Sequence, residues 1–307
     1  MTNYTAQDLD DLRKGGKLVA LIFKKILPQI QPGKKVADIV DAVEIIIKKS
    51  GASLSFPVNL SINECAAHDT AGIIEERLIP DYGYVKLDFG VNINNNLTDC
   101  ARTVALGKAS NDLIKASKSA LDVAIETIKP GVTVGEISEL MEEAINNYGF
   151  KPIYNLTGHG ITKGNLHAEP SIPAVKSFGV TAEYKFKKGF TYAIEPFSTD
   201  GDKGAIEDKT RAKPLIFSIP AEPSSSLGRK IFSQYKKTPF SARSVARDFL
   251  LGTAEQRFDQ LLKLAKKEKW HAYSPLVEIS GGMVAQSEDL LLVTDDGVEI
   301  LTLGAYE

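Results

Sequence analysis

Cysteine, tryptophan and histidine are scarce in this 307-residue chain, with two, one and four copies respectively. Cys65 and Cys100 stand apart with no Cys-x-x-Cys pair, which argues against a disulfide framework and fits a reducing compartment. No apolar run reaches 18 residues, so no membrane-spanning helix is expected. The opening segment MTNYTAQDLDD has neither a basic n-region nor an apolar core, so no signal peptide is expected and the chain is assigned to the cytoplasm. An excess of charge of one sign is missing too. The 37 Lys and Arg against 39 Asp and Glu leave a net charge of −2, which excludes a polyelectrolyte over the whole chain. What is present is ordinary for a globular protein: 43% hydrophobic and 25% charged residues, enough for one large domain or one domain with an insertion.

The chain repeats itself. Residues 30–39, IQPGKKVADI, and 128–137, IKPGVTVGEI, share one pattern at an offset of 98 residues. In each copy a Pro-Gly follows one helical stretch and opens another. The second helix runs to a glycine 19 residues after the proline, Gly51 and Gly149. His68 and His167, offset by 99, are expected at related positions. Periodicity predicts helices over 5–28, 34–50, 110–128 and 133–148, and strands near 54–62, 83–93, 97–106, 152–161, 165–175, 190–199, 276–285 and 289–293. This is an α+β chain of two halves related by a pseudo-twofold, and a site is expected at their junction.

Residues 209–271 break the pattern. A polar loop and PAEPSSSLG lead into helical stretches around 227–235, 241–250 and 254–269. The expectation is a small helical subdomain inserted into a catalytic domain made of 1–208 and 272–307. Between Leu227 and His271 there are 11 Lys and Arg and 4 Asp and Glu, an excess of 11 − 4 = +7. Such a face is ordinarily just solvated; the sharper reading is contact with a polyanion such as ribosomal RNA.

Five groups able to bind metal lie in strand-like segments: Asp88, Asp99, His159, Glu195 and Glu288. In DFGVNINNNLTDCARTV, residues 88–104, two apolar runs flank an Asn-rich turn at Asn94–Asn96, which reads as a hairpin. Asp88 and Asp99 are then expected to meet as a cross-strand pair, whose mutual repulsion a pair of divalent cations removes. His159 lies between two glycines in TGHGI, which read as room for a metal or substrate to approach the backbone. Glu195 lies in FTYAIEPF and Glu288 in MVAQSEDLLLV, where a half-buried carboxylate needs a cation or a donor. Singly, each is more often a paired glutamate or a satisfied core histidine; together they describe a two-metal hydrolytic centre. His271, in the basic segment, reads as structural.

These residues resemble the M24 metallopeptidases of pita-bread fold, and among them the methionine aminopeptidases, most closely type 2 in its short archaeal form. The likeness covers nearly the whole chain. FPVNLSINECAAH resembles the family's segment at its first catalytic histidine, here His68, and residues 88–104 resemble its metal hairpin. NLTGHGI and HAEPSIP resemble its two-histidine segment; IEPF and AQSE resemble its last two ligand segments. The spacings His68–Asp88, Asp88–Asp99 and His159–His167, at 20, 11 and 8 residues, agree with it. The insertion is what sets type 2 apart, where it is winged-helix-like.

The resemblance implies two divalent ions, Co, Mn, Fe or Zn. Asp88 would chelate one and Asp99 and Glu288 would bridge both; His159 and Glu195 would bind the other. Glu195 would also move the proton, His167 would donate to the oxyanion, His68 would contact the scissile amide, and Phe56 would line the methionine pocket. The implied substrates are nascent polypeptide N-termini with a small second residue. The implied protein is a monomer without membrane contact, its insertion a possible point of contact with the ribosome. Two departures stand out. Relatives usually read QFEH where this chain has Gln286, Ser287, Glu288 and Asp289, which predicts a changed, more acidic pocket wall. After His68 they usually have Tyr or Thr and then Pro, where this chain has Asp69, Thr70 and Ala71. A proline-specific peptidase of the same fold, or a catalytically dead binding protein, are the competing readings.

Overall fold

Thr5 starts the first helix with a capping box. Its hydroxyl accepts from the Asp8 amide, and the Asp8 carboxylate accepts from the Thr5 amide at 3.0 Å. Thr133 and Glu136 repeat the device in the second half, at 2.7 Å. The helices run Ala6–Ile26 and Val36–Lys49 in the first half, Asp112–Thr127 and Val134–Asn146 in the second. Past the second helix of each pair stand Gly51 and Gly149, with φ of 81° and 80° and open space where a Cβ would project. It is the left-handed backbone that asks for glycine here. This is a computed structural model that describes residues 4–176, 178–209 and 214–302.

Each helix pair packs on an antiparallel sheet. The first covers Asn59–Ile62, Gly83–Asp88 and Ala101–Leu106, with Gly83–Asp88 central. The second covers five strands in the order Asn165–Pro173, Thr157–Thr162, Thr191–Ile194, Asp289–Val293 and Val298–Ile300. The two cores follow the repeat. Phe23, Ile26, Val36, Ile39, Val43 and Ile47 are buried in one. The residues 98 positions on, Leu121, Ala124, Val134, Ile137, Met141 and Ile145, are buried in the other. The α+β pita-bread expectation holds, with its internal repeat expressed in the packing.

Most strands expected as continuous are broken in two. Residues 83–93 form Gly83–Asp88 and Val91–Ile93; residues 97–106 contribute to Asn96–Leu97 and Ala101–Leu106; residues 190–199 form Thr191–Ile194 and Phe197–Thr199. Glu195 and Asp99 sit in such breaks, and Glu288 sits in the gap between Val284–Gln286 and Asp289–Val293. An interruption releases a side chain from the strict up-down alternation and lets it be re-aimed. At Glu195 the cause is Pro196, which has no N–H to continue the ladder.

In the segment expected as an insertion, helices Ser226–Tyr235, Ala242–Phe249 and Ala254–Lys267 stand within one residue to two of their expected ends. They pack with a sheet ordered Phe240–Ser241, Ile216–Ser218 and His271–Tyr273 around a core that includes Phe217, Ile231, Phe240, Leu261 and Trp270. These strands, two or three residues long, are too short to show alternation in sequence. Positions 210–213 at the start of the expected insertion, and 1–3 and 303–307 at the ends of the expected catalytic domain, lie outside the described residues. Among the described residues no helix is long and apolar enough to cross a membrane. Neither cysteine forms a disulfide, and both are buried.

Candidate active site

The hairpin turns at Asn94 and Asn95, whose φ of 54° and 66° match a primed two-residue turn. Above the turn Ile93 pairs with Asn96; below the break Asp88 pairs with Ala101. Asp99 is therefore diagonal to Asp88, two residues nearer the turn, and the directly opposed pair expected from sequence does not form. The break between the two ladders still brings them together. Ligand oxygens of Asp88, Asp99 and Glu288 lie within 4.8 Å of one another.

His159 enters from the other half on the strand Thr157–Thr162, between Asn165–Pro173 and Thr191–Ile194. A Cβ on Gly158 would stand 2.4 Å from the Ala193 carbonyl oxygen, and one on Gly160 2.3 Å from that of Glu169. The flanking glycines thus serve close strand packing, not the approach of a ligand as expected. His159 Nε2 lies 3.4 Å from Glu195 Oε1 and 3.6 Å from Asp99 Oδ2. Its Nδ1 lies 3.2 Å from the Gly160 carbonyl oxygen, which can only accept, so Nδ1 carries the proton. Burial and the neighbouring His167 push the His159 pKa down to about 3. The neutral ring then points its Nε2 lone pair at two carboxylates.

The carboxylates are as ill-suited to one another. Burial pushes Asp88 up to about 7. Asp99, Glu195 and Glu288 are raised well above the ordinary range, first by burial and then by each other's charge. Asp88 Oδ1 and Glu288 Oε1 are buried with no hydrogen-bond partner. Gln286, given no role from sequence, donates its Nε2 to Glu288 at 3.3 Å and Glu195 at 3.5 Å. Four carboxylates, a lone pair aimed at two of them, and orphaned buried oxygens fit divalent cations and little else.

Phe56, His68, Asp88, Asp99, His159, His167, Glu195 and Glu288 all line one cavity of about 340 Å³. The His167 ring meets His159 edge-on, with centroids 4.6 Å apart, and its pKa is lowered by burial. His68 holds a left-handed φ of 59°, and burial with the nearby His167 lowers its pKa to about 4. A non-glycine residue held in that region is a place where backbone strain is maintained by its surroundings. Ile216 and Pro239 from the expected insertion complete the wall together with Tyr273, two residues past its expected end, whose ring stands 5.4 Å from His68. Asn59 also lines the cavity, opposite Asp88 in the sheet. Sequence reasoning gave none of these four a role; only Asn59, inside the FPVN segment, carried a signal that could have found it.

The departures from the family pattern turn away from this cavity. Asp289 is paired with Arg102 at 2.7 Å, and the Ser287 hydroxyl meets that of Ser117 at 3.0 Å. Asp69 accepts from Arg77 at 2.7 Å, and Thr70 donates to the Val58 carbonyl at 2.6 Å. None of them is among the cavity's lining residues, so the expected acidic change of the wall does not occur.

The sequence profile of metallopeptidase family M24 matches residues 10–295. A methionine aminopeptidase of Archaeoglobus fulgidus is 37% identical over 300 residues, covering 95% of this chain and 98% of that protein. One of Saccharolobus solfataricus is 35% identical over 305 residues, covering 97% and 99%. Among solved structures, a methionine aminopeptidase of Thermotoga maritima superposes with a TM-score of 0.71 over 98% of this chain and 99% of that one, at 24% identity.

Proposed function

Since the chain belongs to metallopeptidase family M24, we propose that its acidic cavity is the centre at which a divalent-metal aminopeptidase cleaves the first peptide bond of its substrate. The protein removes N-terminal methionine from polypeptides, as its full-length relatives' names state of them. The observation that carries the assignment of the site is the convergence of Asp88, Asp99 and Glu288 on one another, with Asp99 and Glu195 also facing the unprotonated Nε2 of His159. Two ions, drawn from Co, Mn, Fe or Zn, suit a set of carboxylates with one imidazole. Asp88 would hold one ion, His159 and Glu195 the other, with Asp99 and Glu288 between them. When bound, the ions supply an acidified water and polarise the scissile carbonyl.

The protein's own groups do the rest. Glu195, raised by burial, takes a proton at Oε and passes it to the leaving amine. His167 and His68 are neutral near pH 7, so each offers an N–H, His167 to the developing oxyanion and His68 to the scissile amide. Phe56, nearly buried in the wall, packs against the methionine side chain. The family resemblance adds a preference for a small second residue.

The inserted subdomain of residues 209–271 supplies a wall of this cavity and is the feature that supports type 2. Its excess positive charge is partly spent inside the molecule, since Arg243 pairs with Asp41 and Arg247 with Glu44. The remaining Lys and Arg are the surface for ribosomal contact. A monomer working on nascent chains in the cytoplasm completes the reading.

The test uses metal-stripped protein with Met-Ala-Ser, Met-Pro-Ala and Ala-Pro-Ala peptides, before and after addition of Mn²⁺ or Co²⁺. Metal-dependent release of free methionine from the first two alone is expected. Release of alanine from the third would move the protein to proline-specific cleavage. No release with any metal would leave a binding protein.

A further inference from the structure

Glu288 reaches the cavity from a two-residue link between Val284–Gln286 and Asp289–Val293, without a strand of its own to hold it. Behind it, on the side away from the cavity, sits a buried arginine. Arg102 is 2% exposed and its guanidinium stands over the Phe23 ring, 5.6 Å from the centroid. Its Nη1 donates both to the Glu288 carbonyl and, at 2.8 Å, to the Ala101 carbonyl. Its Nη2 donates to Asp289 Oδ1 at 2.7 Å. Thr302 donates to the same Oδ1 at 2.6 Å and accepts from the Leu290 amide at 3.2 Å. The Glu288 amide in turn donates to the Ala101 carbonyl at 3.1 Å. One planar fork therefore ties the backbone at Glu288 to the backbone two residues beyond Asp99, across the junction of the two halves.

We propose that the Arg102–Asp289 pair is a positioning device that holds Glu288 and Asp99 at the separation divalent ions require. This rests on the metal-centre reading above. Asp99 and Glu288 lie at close range on irregular backbone that belongs to no strand, and without a tie that backbone would be free to drift apart. A guanidinium bridging the two backbones opposes that motion, while Asp289 neutralises it, so that its charge does not compete with the ions. Packing alone does not call for the pair, because apolar side chains of similar volume replace buried ion pairs with no general loss of stability. Lysine cannot stand in for the fork, since one ammonium does not span two carbonyls and a carboxylate in fixed planar geometry.

Four proteins test this: wild type, Arg102→Lys, Arg102→Met and the apolar double variant Arg102→Met/Asp289→Leu. Each is stripped of metal, checked for folding by near-ultraviolet circular dichroism, and titrated with Mn²⁺ by calorimetry; methionine release is measured separately. The double variant is expected to fold and yet bind Mn²⁺ about 10–100-fold more weakly, as loss of groups that orient metal ligands does elsewhere. Arg102→Lys is expected to fold without recovering wild-type affinity, and kcat is expected to fall more than KM changes. A folded double variant with wild-type affinity would overturn the proposal. So would a double variant that does not fold, since the pair would then serve the fold itself. If wild type binds no Mn²⁺, the metal-centre reading fails instead.

Discussion

At the scale of single residues, the site is set by groups whose charge states contradict one another until a cation is present. Without metal the folded protein keeps protons on carboxylates that the unfolded chain, with carboxyl pKa near ~4, has already released. Asp88 is pushed up to about 7 by burial, and Asp99, Glu195 and Glu288 are also raised. A raised folded pKa contributes stability at low pH that is lost as pH rises through it, at about 1.4 kcal/mol per pH unit for each proton involved. His68 and His159, depressed to about 4 and about 3, act the other way but only below the ordinary histidine value of about 6.5. Lys86, fully buried and lowered to about 7, gains stability as pH rises and so opposes the carboxylates. Comparing metal-free with Mn²⁺-loaded protein cancels Lys86, which lies outside the cavity. The rise in melting temperature on adding Mn²⁺ should therefore be larger at pH 8 than at pH 6.5, because the ions displace protons that are absent at the higher pH. An equal rise at both would show that the carboxylates do not take the ions. The eight residues named from sequence meet in one cavity because each lies in a short, recognisable segment. Arg102 and Gln286 were not legible in their roles: Arg102 acts on a partner 186 positions away, and Gln286 joins Glu288, two positions on, to Glu195, 91 positions back.

At the scale of elements, helices were read to within a few residues because their apolar period, capping threonines and terminal glycines are local signals. Strands were read in place but not in continuity. Breaks such as the one between Leu97 and Ala101 are decided by what the backbone meets across the fold. The same holds for TGHGI, where the glycines answer to neighbouring strands. Gly158→Ala puts a Cβ 2.4 Å from a carbonyl oxygen that belongs to backbone and cannot swing aside. Overpacking of this kind costs ~1–3 kcal/mol. The strand must shift, carrying His159 with it. The variant should unfold at lower urea concentration and bind Mn²⁺ more weakly than wild type. A variant unchanged in both would mean that the sheet absorbs the methyl group without moving the histidine.

At the scale of the whole molecule, the offset of 98 residues was enough to foresee two similar halves, because equivalent core positions keep that spacing. How the inserted segment leans on them was not foreseeable, since its contacts join residues some 200 positions apart. Arg243 donates to Asp41 at 3.0 and 2.6 Å and to the Gly72 carbonyl at 3.0 Å; Arg247 donates to Glu44 at 2.8 Å. These pairs hold the segment whose Ile216 and Pro239, with Tyr273 just past its expected end, close one side of the cavity. They are part-exposed, with Arg247 at 45% and Arg243 at 23%, so screening limits each to roughly 0.5 kcal/mol. Together that is about 1 kcal/mol, or about fivefold in an equilibrium that keeps the wall in place. The proposed metal ligands lie on the two halves and not on the segment read as an insertion, so loosening the wall should weaken substrate binding while sparing the chemical step. The Arg243→Ala/Arg247→Ala variant should raise KM for Met-Ala-Ser about fivefold, leave kcat within about twofold, and expose the inserted segment to faster tryptic cleavage. A fall in kcat with unchanged KM would instead place the insertion's influence on the metal centre itself.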